Sequence, residues 1–112
     1  MNYLITRHPG TFEWLKQKIT EPSICLDHLD NLSVIGRGDT VIGTLPINLV
    51  AEVCRQGARY LHLEIDLPHH LRGQELTTQQ LTELGVELVE YHAHRLIPDE
   101  DMLRPAADQE SW

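Results

Sequence analysis

The sequence has few cysteines and no long apolar run, and each shortage excludes a class of protein. Cys25 and Cys54 belong to no Cys-x-x-Cys motif, so we expect two buried thiols rather than a disulfide, a redox pair or a nucleophile. No apolar stretch approaches the ~20 residues that cross a bilayer, so no membrane partner is expected. The N-terminus lacks the basic start and long apolar stretch of a signal peptide, and residues 3–6 are predicted to form a strand. A cytoplasmic location follows as the expectation.

Positive charge is scarce as well. Nine Lys and Arg side chains stand against 17 Asp and Glu, which gives a formal net charge of −8 with histidine neutral. Such a surface repels a long phosphodiester backbone, so no long nucleic acid is expected as a partner. A small phosphorylated ligand is still compatible, because a local cationic pocket can lie on an acidic body. Part of the acidity falls in residues 98–112, which we expect to be a mobile tail after a single domain at residues 1–97.

Several sequence motifs of enzyme sites are missing. The chain has no Gly-Lys-Ser/Thr ending of a phosphate-binding P-loop and no G-x-G-x-x-G of a dinucleotide site, so no cofactor is expected. It also has no G-x-S-x-G elbow and no plausible Cys-His pair. A covalent hydrolase is therefore unsupported.

What is present is an alternation of short strands and helices. Strands are predicted at 3–6, 23–28, 40–43, 59–66 and 86–96, and helices at 11–19, from Pro46 to Gln56 and from Thr77 to about Gly85. Thr77 and Gln80 have the spacing of a capping box, and Gly57 and Gly85 are predicted helix stops. This order predicts a single α/β domain with a small, mostly parallel, Rossmann-like sheet and helices on both faces. The strand order stays open, because the connection at 31–39 is too short for a helical crossover.

Two loops of this pattern follow strands and precede helices. They are Thr6-Arg7-His8-Pro9-Gly10 and Gly43-Thr44-Leu45-Pro46, and both fall at the sheet edge where ligands of open parallel sheets sit. In the first loop the helix start favours an anion, Arg7 matches phosphate oxygens and His8 can exchange a proton near neutral pH. An ordinary turn with a surface Arg-His pair is the alternative.

The second loop offers a hydroxyl and a helix start. Thr44 supplies the hydroxyl, Gly43 leaves room for a close approach, and Asn48 lies about one turn into the helix. A Thr that merely caps the helix is an equally good interpretation of this loop. Further along, Arg72 with Gly73 is either part of a lid over the ligand or plain surface.

The remaining histidines and acids favour structural roles. His62 is predicted to be a satisfied, half-buried strand residue, and His69-His70 a solvated loop pair. His92 and His94 share a predicted strand face but have no identifiable third ligand, so no metal site is expected. The acids near strand ends would bind Mg²⁺ only if they converge, and capping or turn roles are favoured for them; these acids are Asp27, Asp30 and Asp66.

A longer set of motifs makes the chain similar to a known family. Taken together and in order, these motifs resemble the small CRISPR-associated Csx-sixteen family, which accompanies type III CRISPR systems, and the resemblance covers most of residues 3–91. The motifs are Thr6-Arg7-His8-Pro9-Gly10, Trp14, His28-Leu29-Asp30, residues 38–46, Ala51-Glu52-Val53-Cys54, residues 57–63 and Arg72-Gly73-Glu75-Leu76.

The resemblance implies a ring nuclease that degrades the cyclic oligoadenylate messenger, with cyclic tetra-adenylate as the expected ring. It also implies a CRISPR-associated Rossmann-like (CARF-like) sensor fold working as a homodimer, with the ligand across the two-fold axis. The hypothesis for the site is that Arg7 and the helix N–H groups hold a phosphate, His8 is the acid or base, and Thr44 orients the reacting groups. The predicted ligand-binding residues beside them are Thr6, Pro9, Gly10, Gly43, Leu45, Asn48 and Arg72.

Other functions remain compatible with the same loops. A binding module would sense or sequester the ring without cutting it. A metal-dependent phosphodiesterase would use the Asp residues, and a structural protein would join the CRISPR effector complex.

Overall fold

The structure, a computed structural model, describes residues 1–29 and 32–96. The predicted alternation of strands and helices is confirmed. The strands are β1 (Asn2–Ile5), β2 (Ser23–Leu26), β3 (Thr40–Gly43), β4 (Arg59–Glu64) and β5 (Glu87–Tyr91), and the helices are α1 (Pro9–Lys18), α2 (Ile47–Arg55) and α3 (Thr78–Leu84). Short 3₁₀ turns at Leu32–Val34 and His69–Leu71 lie in the connections.

The five strands form one mostly parallel sheet in the order β2-β1-β3-β4-β5. The first four strands run parallel, and β5 returns antiparallel beside β4. The chain moves outward from β1 to β2 on one side and from β3 to β4 on the other. The order therefore reverses between β1 and β3, which makes the gap beyond their carboxyl ends the topological switch point of a Rossmann-like sheet.

Each face of the sheet is covered by helix. On one face α2 packs Val50 and Val53 against Tyr3, Val41 and Tyr60 of the strands. On the opposite face, α1 and α3 bury Trp14, Leu15 and Leu81 against Leu4, Ile42 and Leu63. Neighbouring residues such as Leu4 and Tyr3 serve opposite faces, as side chains of a strand alternate. The central strands β1 and β3 are thus buried on both sides, which explains their consecutive apolar residues Tyr3–Ile5 and Val41–Ile42.

The connection from β2 to β3 settles the strand order that the sequence left open. Its described residues pass β1 with the 3₁₀ turn Leu32–Val34 in place of an α-helix, and Leu29 and Ile35 are buried in the core on the α2 face. Its return is held by Asp39, whose carboxylate accepts hydrogen bonds from the Gly36 N–H and the N-terminal amine. Buried Leu29 and Ile35 and the Asp39 carboxylate therefore fix this connection, as a packed helix does in longer crossovers.

The ends of the later helices follow local sequence signals. The capping box predicted at Thr77 and Gln80 is present, with each side chain bonded to the other's backbone N–H. Gly85 then ends α3 in the left-handed region at φ 74°, and Gly57 ends the turn after α2 at φ 87°. Glycine reaches such angles without strain, which is why both positions were recognisable as helix stops.

Two sequence predictions differ from the structure, for Cys25 and for the end of the last strand. Cys25 was predicted to be buried and is exposed, because β2 is an edge strand with little packed against it. The last strand ends at Tyr91, so His92 and His94 lie beyond it rather than on it. The predicted tail at residues 98–112 and the candidate ligand Asp30 lie outside the described residues. Within the described part of the chain, no helix has the length and apolarity needed to span a membrane.

Candidate functional site

The two loops singled out from the sequence lie side by side at the switch point. Their strands are adjacent, with Leu4 paired to Ile42 in register. Gly43 sits so close to β1 that a Cβ on it would lie 2.8 Å from the Ile5 carbonyl oxygen. Gly43 therefore serves the close approach of two strand ends, in addition to any room it leaves for a ligand.

Two depressions at this edge of the sheet are lined by residues of both loops. We call the first the rim cleft; its volume is about 430 Å³, and its lining includes Thr6, Arg7, His8, Asp27, Thr44 and Leu45. We call the second the apolar pocket; its volume is about 240 Å³, and leucine and isoleucine side chains from β4, α1, α3 and the residue 65–76 segment form its walls. Thr6, His8 and Thr44 line both depressions. Of the predicted catalytic side chains, His8 and Thr44 therefore lie between the two depressions, and Arg7 lies in the rim cleft.

Arg7 and Thr44 offer unengaged polar groups to the rim cleft. Arg7 is exposed, and no carboxylate of residues 1–29 or 32–96 lies within ion-pair distance of its guanidinium. Within the same ranges, the Thr44 hydroxyl has no hydrogen-bond partner. Asp27 also lines the rim cleft, so the cleft carries a positive charge from Arg7 and a negative charge from Asp27.

The starts of α1 and α2 carry free N–H groups toward the same edge. Neither helix has a side-chain cap at its N-terminus: the N-cap residues are His8 and Pro46. The equally good interpretation of Thr44 as a cap is therefore wrong. Thr6 instead braces the first loop, since its hydroxyl oxygen accepts the His8 backbone N–H at 3.1 Å. Uncapped first-turn N–H groups are available to an anion.

His8 forms hydrogen bonds with Glu75, a residue that the sequence did not identify as part of the site. His8 Nδ1 lies 2.8 Å and 3.1 Å from the two carboxylate oxygens of Glu75, 67 positions away in the chain. Glu75 fell within one of the resemblance motifs, but no local pattern connected it with His8. Because an ionised carboxylate only accepts hydrogen bonds, this contact places a proton on Nδ1.

Tyr60 is the second residue that the sequence did not reveal. Its hydroxyl donates to the Gly43 carbonyl at 3.0 Å and accepts the Leu45 N–H at 2.8 Å. The remaining lone pair faces His62 Nδ1 at 2.7 Å, which confirms His62 as a satisfied, half-buried strand histidine. Burial raises the pKa of Tyr60, so the hydroxyl stays protonated and holds both neighbours of Thr44.

Other predicted ligand residues lie elsewhere or are engaged. Asn48 and Arg72 are exposed and line neither depression. Gly10 packs against the segment before α3, where a Cβ would fall 1.8 Å from the Leu76 carbonyl oxygen. Pro9 is the first residue of α1, and the Leu45 N–H is taken by Tyr60.

The described residues of the site do not form a metal-binding cluster. Across residues 1–29 and 32–96, no three His, Cys, Asp or Glu side chains are grouped so as to hold an ion. His69 and His70 are solvent-exposed as predicted. Partial desolvation raises the pKa of the Cys25 thiol while Lys16 lowers it, which is not the pattern of an activated nucleophile.

Fold and cleft together define a small α/β protein with a Rossmann-like sheet and a ligand-sized depression at its switch point. Residues 3–94 match the model of the family described as "Putative CRISPR-associated protein (Cas_VVA1548)". The match covers most of the chain, and the chain belongs to this family. Comparison with the curated proteins finds no match, and comparison with the solved structures finds none either.

Proposed function

We propose that this protein is a ring nuclease of a type III CRISPR system, which binds cyclic oligoadenylate and cleaves it without a metal. The observation that carries the proposal is the convergence of Arg7, His8 and Thr44 on one cleft, in a chain of a CRISPR-associated family. Cyclic tetra-adenylate is the expected ring, and its destruction would switch off antiviral signalling.

Binding would use both depressions. A ring phosphate would lie in the rim cleft against Arg7 and the uncapped N–H groups of α1. The apolar pocket, directly beside it, suits the flat face of an adenine base. A homodimer that places the ring across its two-fold axis would supply two such sites, each with its own Arg7 and its own Asp27.

Cleavage would follow from the ring's own chemistry. The 2′-oxygen attacks the adjacent phosphorus, forming the P–O2′ bond as the P–O5′ bond breaks and its electron pair goes to O5′. His8 takes the 2′-hydroxyl proton, and water protonates the leaving O5′. The products carry a 2′,3′-cyclic phosphate and a 5′-hydroxyl. Thr44 would hold the attacking oxygen in line while Arg7 neutralises the charge that builds on the phosphate.

The test is an incubation with cyclic tetra-adenylate, with and without EDTA, followed by chromatography of the products. Wild type should give linear adenylates with cyclic phosphate ends in both conditions. His8→Ala should retain binding and lose about 10²–10⁴ in rate, the usual worth of one acid–base group. Arg7→Ala should weaken binding, while Arg37→Ala, which removes an exposed Arg outside both depressions, should behave as wild type.

Each alternative has its own outcome in this assay. A ring that is bound but recovered intact would identify a sensor or sponge instead of a nuclease. Activity that EDTA removes and Mg²⁺ restores would identify a metal-dependent phosphodiesterase. A lack of nucleotide affinity, together with co-purification with the effector complex, would identify a structural partner.

A further inference from the structure

The contact between His8 and Glu75 joins two distant parts of the chain at the candidate site. Both carboxylate oxygens of Glu75 lie within hydrogen-bond distance of His8 Nδ1. The proposed reaction assigns His8 a proton but gives Glu75 no part. The side chains are 63% and 65% exposed, so the pair adds little to stability and calls for another explanation.

The backbone segments that carry His8 and Glu75 also pack against each other. α1 begins at Pro9, directly after His8, and its Gly10 packs against the Leu76 carbonyl with no room for a Cβ. Thr78 adds a hydrogen bond from its hydroxyl to the Gly10 carbonyl at 3.4 Å. Leu76, the residue after Glu75, is also a wall of the apolar pocket. The close packing of Gly10 against Leu76 and Thr78 therefore brings Glu75 next to His8.

The chemistry of the contact selects one form of the imidazole. The carboxylate accepts a hydrogen bond from Nδ1–H, so in the neutral ring Nε2 is the nitrogen that carries the lone pair. A base that must take a hydroxyl proton needs that lone pair on a nitrogen that its partner does not occupy. A carboxylate behind a histidine performs this orienting task in many enzyme and metal sites.

We propose that Glu75 is a positioning residue, which holds His8 in the Nδ1-protonated tautomer so that Nε2 is the proton acceptor in ring opening. The catalytic half of this inference rests on the proposed function. The tautomer half does not, because it concerns the free protein. Two readouts can therefore be separated.

The test compares wild type, Glu75→Gln and, as a matched control, Glu83→Gln. Glu83 is an exposed glutamate on α3 that lines neither depression. The glutamine keeps the shape of Glu75, but its amide can accept from Nδ1–H or donate to a bare Nδ1. It therefore removes the tautomer preference without emptying the position.

The first readout is the ¹⁵N chemical shift of the His8 ring nitrogens in the free protein, at a pH where the ring is neutral. Wild type and Glu83→Gln should show the Nδ1–H form, and Glu75→Gln a mixture with Nε2–H. A wild-type ring already in the mixed or Nε2–H form would overturn the proposal, whatever the protein does to nucleotides.

The second readout is single-turnover cleavage of cyclic tetra-adenylate beside its Kd. Glu75→Gln should cut about tenfold to a hundredfold more slowly at unchanged Kd, the usual cost of losing an orienting partner. Equal rates for the three proteins would overturn the positioning role. A wild type that never cuts would refute the proposed function and this role in catalysis, while the ¹⁵N shifts would still decide the tautomer.

Discussion

The Tyr60 hydroxyl holds the loop that carries Thr44, so replacing Tyr60 by Phe should both destabilise the protein and loosen that loop. The substitution removes one oxygen and leaves the ring, which is almost wholly buried at 1% exposure. Three groups lose a partner: the Gly43 carbonyl, the Leu45 N–H and His62 Nδ1. Gly43 and Leu45 flank Thr44 directly.

The expected loss follows from the two backbone hydrogen bonds. At about 1 kcal/mol net for each bond, Tyr60→Phe should lower the free energy of unfolding by about 2 kcal/mol. For a domain of this size that corresponds to a fall in Tm of about 10 °C. Tyr3→Phe is the matched control, because the Tyr3 hydroxyl makes one long hydrogen bond, 3.3 Å to the Val34 carbonyl. It should cost clearly less than Tyr60→Phe.

Urea denaturation of the two variants measures the free energies, and amide hydrogen exchange at Leu45 measures the loop. Exchange at Leu45 should accelerate in Tyr60→Phe and stay unchanged in Tyr3→Phe. If Tyr60→Phe were as stable as Tyr3→Phe, with Leu45 exchanging at the wild-type rate, the account of how Thr44 is positioned would be wrong.

Two further predictions concern packing and charge. Gly10→Ala places a Cβ 1.8 Å from the Leu76 carbonyl oxygen. It should lower the free energy of unfolding in urea by about 3 kcal/mol or more, at or beyond the upper end for overpacking. A denaturation midpoint equal to that of wild type would show that the start of α1 is not closely packed against Leu76. Arg59 lowers the pKa of Glu90, chiefly through its hydrogen bonds to that carboxylate. Ionised Glu90 therefore stabilises the fold at pH values above the pKa that it has in the unfolded chain. This stabilisation is lost as the pH falls through the lower pKa of the folded protein. Glu90→Gln should therefore be less stable than wild type at neutral pH, with the gap closing in acid; a gap that persists or widens in acid would contradict the linkage.

Local signals in the sequence predicted a large part of the fold. The capping box at Thr77 and the stops at Gly57 and Gly85 depend only on residues within one or two turns of the helix ends that they fix. The alternation of strands and helices was enough to predict a mostly parallel sheet and to place the Arg7 and Thr44 loops at one edge. Parallel strands share that edge whatever their order.

What the sequence did not reveal depends on the assembled sheet. Cys25 is exposed because β2 became an edge strand, and edge position is set by the strand order rather than by residues near Cys25. Glu75 reaches His8 only because α3 packs beside α1. Tyr60 reaches the Thr44 loop from the neighbouring strand β4. Each of these contacts joins residues that have no pattern in common along the chain.

The measurement that tests the central claim most directly is a map of backbone amide shifts when cyclic tetra-adenylate is added to ¹⁵N-labelled His8→Ala protein, which should bind the ring without cutting it. The shifts should be largest at residues 6–12 and 43–49, on the two loops and the helix starts behind them. Shifts concentrated at β5 or at the 92–95 segment, with Arg7 and Thr44 unmoved, would contradict the account.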